Sequence, residues 1–270
     1  MGTVAYILRA GMEGLLTPFD WLGPAWGLSL LSILSGIGML WVVGKTTPQK
    51  LVERSRNKMD SAVYEIRLFL DYPKRVLISL GRLMGNSLLY VAYMMPAFVI
   101  LALPLGLMYL GLETRHGMDA IELNQPFVVS VQLADGVDGR KLSISPSEGL
   151  EVTAPPMYVP SEQMVYVRLE AKKETSGTLQ VATLGGPAVE KLIITDPGAT
   201  QMAPDRVSGA ELFLSYGPEA ELGGAITAIR VDHPPKDNSY LGIPMPWWLW
   251  WLILMMVAAF GLKKPMGVAL

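Results

Sequence analysis

Residues 21–43 read WLGPAWGLSLLSILSGIGMLWVV, and this run without a charged residue decides the fold. At a rise of about 1.5 Å per residue, a helix over these residues covers a hydrocarbon core of roughly 30 Å. A second apolar run, LLYVAYMMPAFVILALPLGLMYLGL, occupies 88–112, and a third occupies 246–262. The sequence therefore predicts three transmembrane helices.

The composition agrees with a membrane protein that also carries a water-exposed module. Apolar residues make up 51% of the chain and charged residues only 17%, below the usual quarter of a globular protein. The stretch from about Gly117 to Asn238 has an ordinary soluble composition by contrast. The net charge of −2 gives no reason to expect nucleic acid as a partner. The absence of cysteine excludes disulfides, thiolate zinc sites and iron–sulfur clusters.

Lysine and arginine set the predicted orientation. Basic residues cluster between the first two spans and again after the third, and the positive-inside rule makes both regions cytoplasmic. The N-terminus and the segment 113–245 then lie outside. No Asn-x-Ser/Thr sequon is present, which favours a bacterial inner (plasma) membrane over a eukaryotic one. The basic positions are Lys45, Lys50, Arg54, Arg56, Lys58, Arg67, Lys74, Arg75, Arg82, Lys263 and Lys264.

The predicted fold class is an α-helical membrane protein with a cytoplasmic helical hairpin and an extracytoplasmic all-β domain of the Ig-like sandwich type. Along the chain we expect an interfacial amphipathic helix at 1–20, spans at 21–44, 88–112 and 246–262, a basic hairpin at 45–87, an outer domain at 113–245 with a linker at 196–209, and a cytoplasmic tail at 263–270.

Period-two alternation predicts the strands of the outer domain. Credible strands run over 127–133, 141–145, 164–171, 178–183, 191–195 and 225–231, with glycine-containing turns between them. The pair Pro155-Pro156 is expected on an edge or in a loop, because proline cannot donate to a strand ladder. Short antiparallel strands at this spacing are typical of a small sandwich.

Small residues and prolines mark where the spans could pack against partners. Ser32 and Gly36 are four residues apart, a spacing that lets another helix approach closely. Pro96 and Pro104 should each kink the second span by removing a backbone donor. The alternative is that glycine and serine are simply common in membrane helices. Interface anchors are predicted at Trp21, Trp26, Trp247, Trp248, Trp250 and Trp251.

Arg82 and Asn86 share a helix face just before the second apolar run. One interpretation places them at the cytoplasmic mouth of a polar groove. The other interpretation is snorkelling of these side chains to the lipid headgroups.

The sequence contains no recognisable catalytic constellation, so we expect no enzyme activity, no cofactor, no metal and no small-molecule substrate. His116 and His233 could share a metal, but solvated loop histidines are the simpler interpretation. The three spans contain no Asp, Glu, Lys, Arg or His. Ionisable groups at membrane depth mark pumps and secondary transporters, so these classes are disfavoured.

The order of elements resembles the core of the Oxa1/YidC superfamily of membrane protein insertases over residues 21–112 and 246–264. The resemblance is carried by the hairpin with Lys58-Met59 and by Met95-Pro96 and Leu103-Pro104 in the second span. It implies that a groove would receive nascent hydrophobic segments. The chain departs from the family in lacking a charged residue in its first core span and in placing a β domain between the second and third spans.

Three functions remain as hypotheses. The first is a non-enzymatic membrane subunit or assembly scaffold that contacts other membrane proteins within the bilayer, and it requires an exposed apolar face on the spans. The second is an insertase, which requires a hydrated groove between the first two spans near Arg82 and Asn86. The third is an envelope sensor, which requires a concave pocket within residues 118–232.

Overall fold

A computed structural model describes residues 10–11, 14–183, 186–213, 215 and 217–268. The chain divides into two compact units. The β unit comprises Met1–Pro24 with Leu107–Trp247, and the helical unit comprises Ala25–Gly106 with Trp248–Leu270.

Helices account for most of the helical unit: α1 at Pro24–Thr46, α2 at Gln49–Leu68, α3 at Pro73–Leu112 and α4 at Trp247–Leu262. Pro48 precedes α2 and Pro73 begins α3, positions where the missing proline N–H costs no helical bond. Both arms of the hairpin predicted at 45–87 are helical, one formed by α2 and the other by the beginning of α3. α3 continues as one helix of 40 residues through Pro96 and Pro104.

Two helical segments are long and apolar enough to cross a membrane by length and composition, Ala25–Thr46 and Pro73–Gly117. α4 is also apolar but has only 16 residues, so it is shorter than these two. α3 is about 60 Å long, twice the thickness of a hydrocarbon core.

One apolar cluster joins the helices of the helical unit. It contains buried side chains of α1, α2, α3 and α4, together with Val268 from the segment after α4. Its buried members are Leu40, Val43, Val52, Met94, Ala97, Leu101, Ala259 and Val268.

The β unit contains two antiparallel sheets that share a core. The five-stranded sheet has the order β3-β4-β1-β8-β7, and the three-stranded sheet has the order β2-β5-β6. Buried side chains from both sheets, such as Val129, Val167, Leu179 and Ile193, belong to one cluster. A short hairpin, β9–β10, lies outside these sheets. The strands are β1 at Pro126–Leu133, β2 at Ser143–Pro146, β3 at Leu150–Val159, β4 at Met164–Ala171, β5 at Gly177–Ala182, β6 at Val189–Ile193, β7 at Asp205–Val207, β8 at Ile226–Val231, β9 at Ser239–Tyr240 and β10 at Ile243–Pro244.

The segment 196–209 is not the linker that its composition predicts. It contains β7, which pairs with β8, and its Met202 and Ala203 are almost fully buried. The segment is also hydrogen-bonded to Thr114, whose carbonyl oxygen accepts from the Met202 N–H at 2.7 Å. A polar, proline-containing stretch can therefore form part of a folded domain when a neighbouring strand supplies hydrogen-bond partners for its backbone.

The proline pair at Pro155-Pro156 lies within a strand at the sheet edge, as expected of residues without a backbone donor. The register of β3 on β4 shifts between Val152 and Ala154 and again between Ala154 and Met157. Such bulges and prolines make β3 a poor template for a further strand.

Residues 14–20 are helical, and the rest of the predicted interfacial helix lies largely outside the described residues. Asp20, at the end of this segment, accepts a hydrogen bond from the Arg115 guanidinium at 3.0 Å. Arg115 is buried in a π-helical turn, Glu113–Gly117. Its ion pair with Asp20 supplies the partner that a buried cation requires.

Candidate interaction site on the helical hairpin

The two arms of the hairpin pack antiparallel through small and polar side chains. The Ser79 hydroxyl of α3 donates to Glu65 Oε2 of α2 at 2.6 Å, and the Ser87 hydroxyl lies 3.2 Å from Met59 Sδ. Ser79 is buried in the seam, as is Ala62 on α2. Small residues at these positions allow the two helices to approach closely.

This register fixes where the hairpin stands along α3. The pairs Glu65–Ser79 and Met59–Ser87 show that each step towards the start of α2 matches one step towards the end of α3. Val52 and Met94 accordingly share a cluster with Val43 at the end of α1. The 21 residues of α3 before Met94 therefore extend about 30 Å away from this cluster.

Arg82 and Asn86, candidates for the entry of a polar groove or for snorkelling to the headgroups, line one cleft of 340 Å³. The cleft lies between the arms of the hairpin, and Lys58, Ser61 and Glu65 of α2 also line it. Arg82 Nη1 is 3.4 Å from Glu65 Oε2, and both side chains are substantially exposed. An ion pair of this kind contributes little to stability.

The half of α3 that belongs to the hairpin has one face that points away from α2. This face is exposed and mostly apolar. Side chains at spacings of three and four residues fall on this one side. Leu77, Met84 and Leu88 are 70%, 62% and 71% exposed. Among the described residues, no heavy atom lies within 4 Å of a Cβ placed on Gly81 or Gly85, which share that face. We name this surface, Leu77, Gly81, Met84, Gly85 and Leu88, the α3 outer face.

Aromatic and basic side chains contact each other at the tip of the hairpin. The Arg75 guanidinium lies 4.7 Å from the centre of the Phe69 ring and 6.0 Å from that of Tyr72. The two rings meet edge to face with 6.4 Å between their centres. Leu68 and Leu70 beside them are largely exposed. Stacking holds Arg75 in place while its N–H edge remains able to donate.

Ser32 and Gly36, predicted to pack against a partner, are packed within the chain. Ser32 is fully buried, and its hydroxyl donates to the Leu28 carbonyl at 2.6 Å. A Cβ on Gly36 would stand 2.6 Å from the Met255 carbonyl oxygen, so this glycine lets α4 come close to α1. Pro96 and Pro104 are instead exposed on α3.

The tryptophans predicted as interface anchors divide into two groups. Trp21 and Trp26 are exposed, and Trp248 is partly so. Trp247 and Trp251 are buried, and Trp247 Nε1 donates to Glu113 Oε2 at 3.0 Å. Trp250 Nε1 donates to the Ser29 hydroxyl at 2.9 Å.

The β unit holds a larger cavity and a buried ion pair that sequence reasoning missed. A pocket of 680 Å³ is lined by Arg140, Tyr158 and the bulged part of β3. Elsewhere Lys191 is fully buried and contacts Glu219 and the Ala203 carbonyl oxygen. Burial lowers the pKa of Lys191, and Glu219 opposes that shift. No signal in the sequence connects two charges 28 residues apart.

His116 and His233 do not form the pair that a shared metal needs. Met118 bridges Pro235 in antiparallel fashion, and each histidine lies two residues before its own member of the bridge. Antiparallel chains leave the bridge in opposite directions, so the two histidines lie on opposite sides of the bridge along the chains. Burial lowers the pKa of His233 to about 4. Among the described residues, no three His, Cys, Asp or Glu side chains are grouped as a metal site.

In comparisons with known proteins, no family model matches the chain, and neither a characterised protein nor a solved structure matches it.

Proposed function

We propose that the chain is a non-enzymatic membrane subunit or assembly scaffold that docks a cytoplasmic partner on its helical hairpin. In this proposal α1, α3 and α4 cross the bilayer, the hairpin projects into the cytoplasm and the β unit lies outside. The length and apolar character of Ala25–Thr46 and Pro73–Gly117 support two of the spans. α4 is the third span in this proposal because Lys263 and Lys264 follow it, just as Lys45 lies in the last turn of α1. Basic residues next to a span favour the cytoplasmic side.

The cytoplasmic boundary of the bilayer then falls near Met94 of α3 rather than at Leu88. Lys50 and Arg54 of α2 lie alongside the part of α3 that follows Leu88. Two charged side chains are too costly to place in the hydrocarbon core. Residues 73–93 of α3 consequently stand in water, together with α2.

The exposed α3 outer face carries the proposal. Lipid covers apolar side chains within a bilayer, but it cannot cover Leu77 or Met84 at a distance of about 15 to 25 Å from the boundary near Met94. A large exposed apolar surface marks a protein or membrane interaction site, and the distance from the boundary near Met94 favours a protein. The hairpin presents such a surface along α3 and at its tip, which is the property expected of a docking module.

The test is mild crosslinking in native membranes, followed by detergent purification and mass spectrometry. A fixed set of proteins that co-elute at constant stoichiometry is the expected result. A chain that elutes alone as a stable monomer, under conditions in which a known membrane complex remains intact, would contradict the proposal.

An envelope sensor is the second candidate, and the 680 Å³ pocket beside Tyr158 favours it. A ligand captured by the intact protein and lost in Tyr158→Ala would favour this function. The insertase hypothesis requires a groove between α1 and α3. Ribosomal proteins and a broad spread of hydrophobic clients among the crosslinked proteins would favour it over both other functions.

A further inference from the structure

The α3 outer face has the shape of a seat for a helix. Leu77, Met84 and Leu88 stand on the same side of α3, and each is more than half exposed. Between them Gly81 and Gly85 leave the backbone uncovered. A helix that crosses two glycines four residues apart can bring its own backbone close, with the larger side chains on either side of it.

The charges beside the seat have one sign. α3 carries Lys74, Arg75 and Arg82 and no acidic residue over its whole length. Residues 45–87 as a whole contain nine basic and four acidic residues, a net charge of +5. An occupant with acidic side chains is therefore favoured over a neutral or basic one.

The positions of the two arginines restrict the occupant further. Arg75 and Arg82 are seven residues apart, which places them on one flank of α3 about 10 Å from each other along its axis. Arg75 is positioned by Phe69. Acidic residues spaced by seven on a packed helix would meet both guanidinium groups.

We propose that the α3 outer face binds an amphipathic helix of a different cytoplasmic protein, with a stripe of apolar and small residues flanked by acidic residues at i and i+7. This proposal rests on the docking function above and names the site and the chemistry of its partner. A second copy of this chain is a poor occupant, because its own α3 presents the same basic flank and no carboxylate.

The test is site-specific photocrosslinking of the full-length protein in its native membrane. The photoreactive residue p-benzoylphenylalanine replaces Leu77, which points into the seat, or Asn57, which is exposed on α2 and lies outside it. The expected result is a discrete adduct from position 77 whose crosslinked peptide is a predicted amphipathic helix with acidic residues seven apart.

Substitutions then separate the seat from its surroundings. Gly81→Leu fills the seat and should reduce the adduct at least about tenfold, the loss expected when a central contact of an interface is blocked. Its matched control is Gly106→Leu, an equally open glycine of the same helix. Arg75→Glu should reduce the adduct, whereas Lys58→Glu, with the same change of charge outside the seat, should not. Equal circular dichroism spectra of the purified variants establish that all of them fold.

Three outcomes with an adduct from position 77 would overturn the inference. They are an adduct that persists in Gly81→Leu, a crosslinked peptide that lacks acidic residues, and an adduct with a second copy of the chain. Adducts from Asn57 alone would overturn the inference but leave the docking function intact. No adduct from either position would contradict both.

Discussion

Gly36 shows at the scale of one residue how the helical unit is held together. The backbone of α4 occupies the space that a side chain on this residue would need, with Ala258 Cβ 3.0 Å from the ideal Cβ position. Gly38, two residues further along α1, has open space among the described residues. The two glycines thus offer a matched comparison of a packed and an unpacked site.

Gly36→Leu should destabilise the folded protein by about 1–3 kcal/mol, because the Met255 carbonyl cannot move away without separating the helices. Gly38→Leu should change stability by less than about 0.5 kcal/mol. The midpoint of unfolding by sodium dodecyl sulfate, followed by tryptophan fluorescence, measures both. Equal shifts of the two midpoints would show that α1 and α4 do not pack at Gly36.

His233 predicts a pH dependence for the β unit. Its pKa falls from 6.5 to about 4 on folding because the imidazole is desolvated. Between these values the unfolded chain binds a proton that the folded chain does not, so stability is lost as the pH falls through this range. The loss is at most about 3 kcal/mol.

The melting temperature of the strand signal in circular dichroism should therefore fall between pH 7 and pH 4. In His233→Gln, which cannot titrate, the decrease should be smaller. An unchanged decrease in this variant would assign the acid sensitivity to other groups.

Residue types and local spacing predicted some of these sites and not others. The close approach of a helix at Gly36 was predictable from its spacing with Ser32, but the identity of that helix was not. The GRLMG segment around Gly81 and Gly85 carried the same spacing signal. The Lys191–Glu219 pair was beyond prediction, because its members meet only through the register of β6 with a distant loop.

At the scale of elements, α2 acts as a brace for residues 73–93 of α3, against which it packs. It lies within the helical hairpin predicted at 45–87, and its buried Val52 and Ala62 face the rest of the unit. The strands with regular alternation of apolar and polar residues were also predicted, and the predicted bounds of β4 match the observed ones. β3 and β7 were missed because prolines and brevity hide their alternation, and because strand pairing is a non-local property.

Val52→Ala should weaken the attachment of α2, because Val52 is fully buried in the cluster at the end of α1. We expect a loss of about 1–2 kcal/mol from the removed methyl groups and the cavity that remains. Leu51→Ala is the control, since Leu51 is 41% exposed. Hydrogen exchange of residues 49–68 should accelerate in Val52→Ala alone, and equal rates in both variants would contradict the brace.

At the scale of the whole molecule, charge is distributed unequally between the segments. The hairpin region 45–87 has a net charge of +5, whereas 113–245, with ten basic and eighteen acidic residues, has −8. In a membrane protein the lysines and arginines of 45–87, which follow α1, are typical of a cytoplasmic loop, whereas acidic residues contribute little to the orientation. The proposed docking function depends on that topology, because the α3 outer face must meet cytoplasmic proteins.

The most direct test of the account is the accessibility of single cysteines to a membrane-impermeant maleimide, which is straightforward because the chain contains no cysteine. Ser61→Cys reports on α2, and Ser176→Cys reports on an exposed turn between β4 and β5. In intact spheroplasts, Ser176→Cys should be labelled, and Ser61→Cys should react only after the membrane is permeabilised. Labelling of both positions in intact spheroplasts, or of Ser61→Cys alone, would contradict the topology and with it the proposed function.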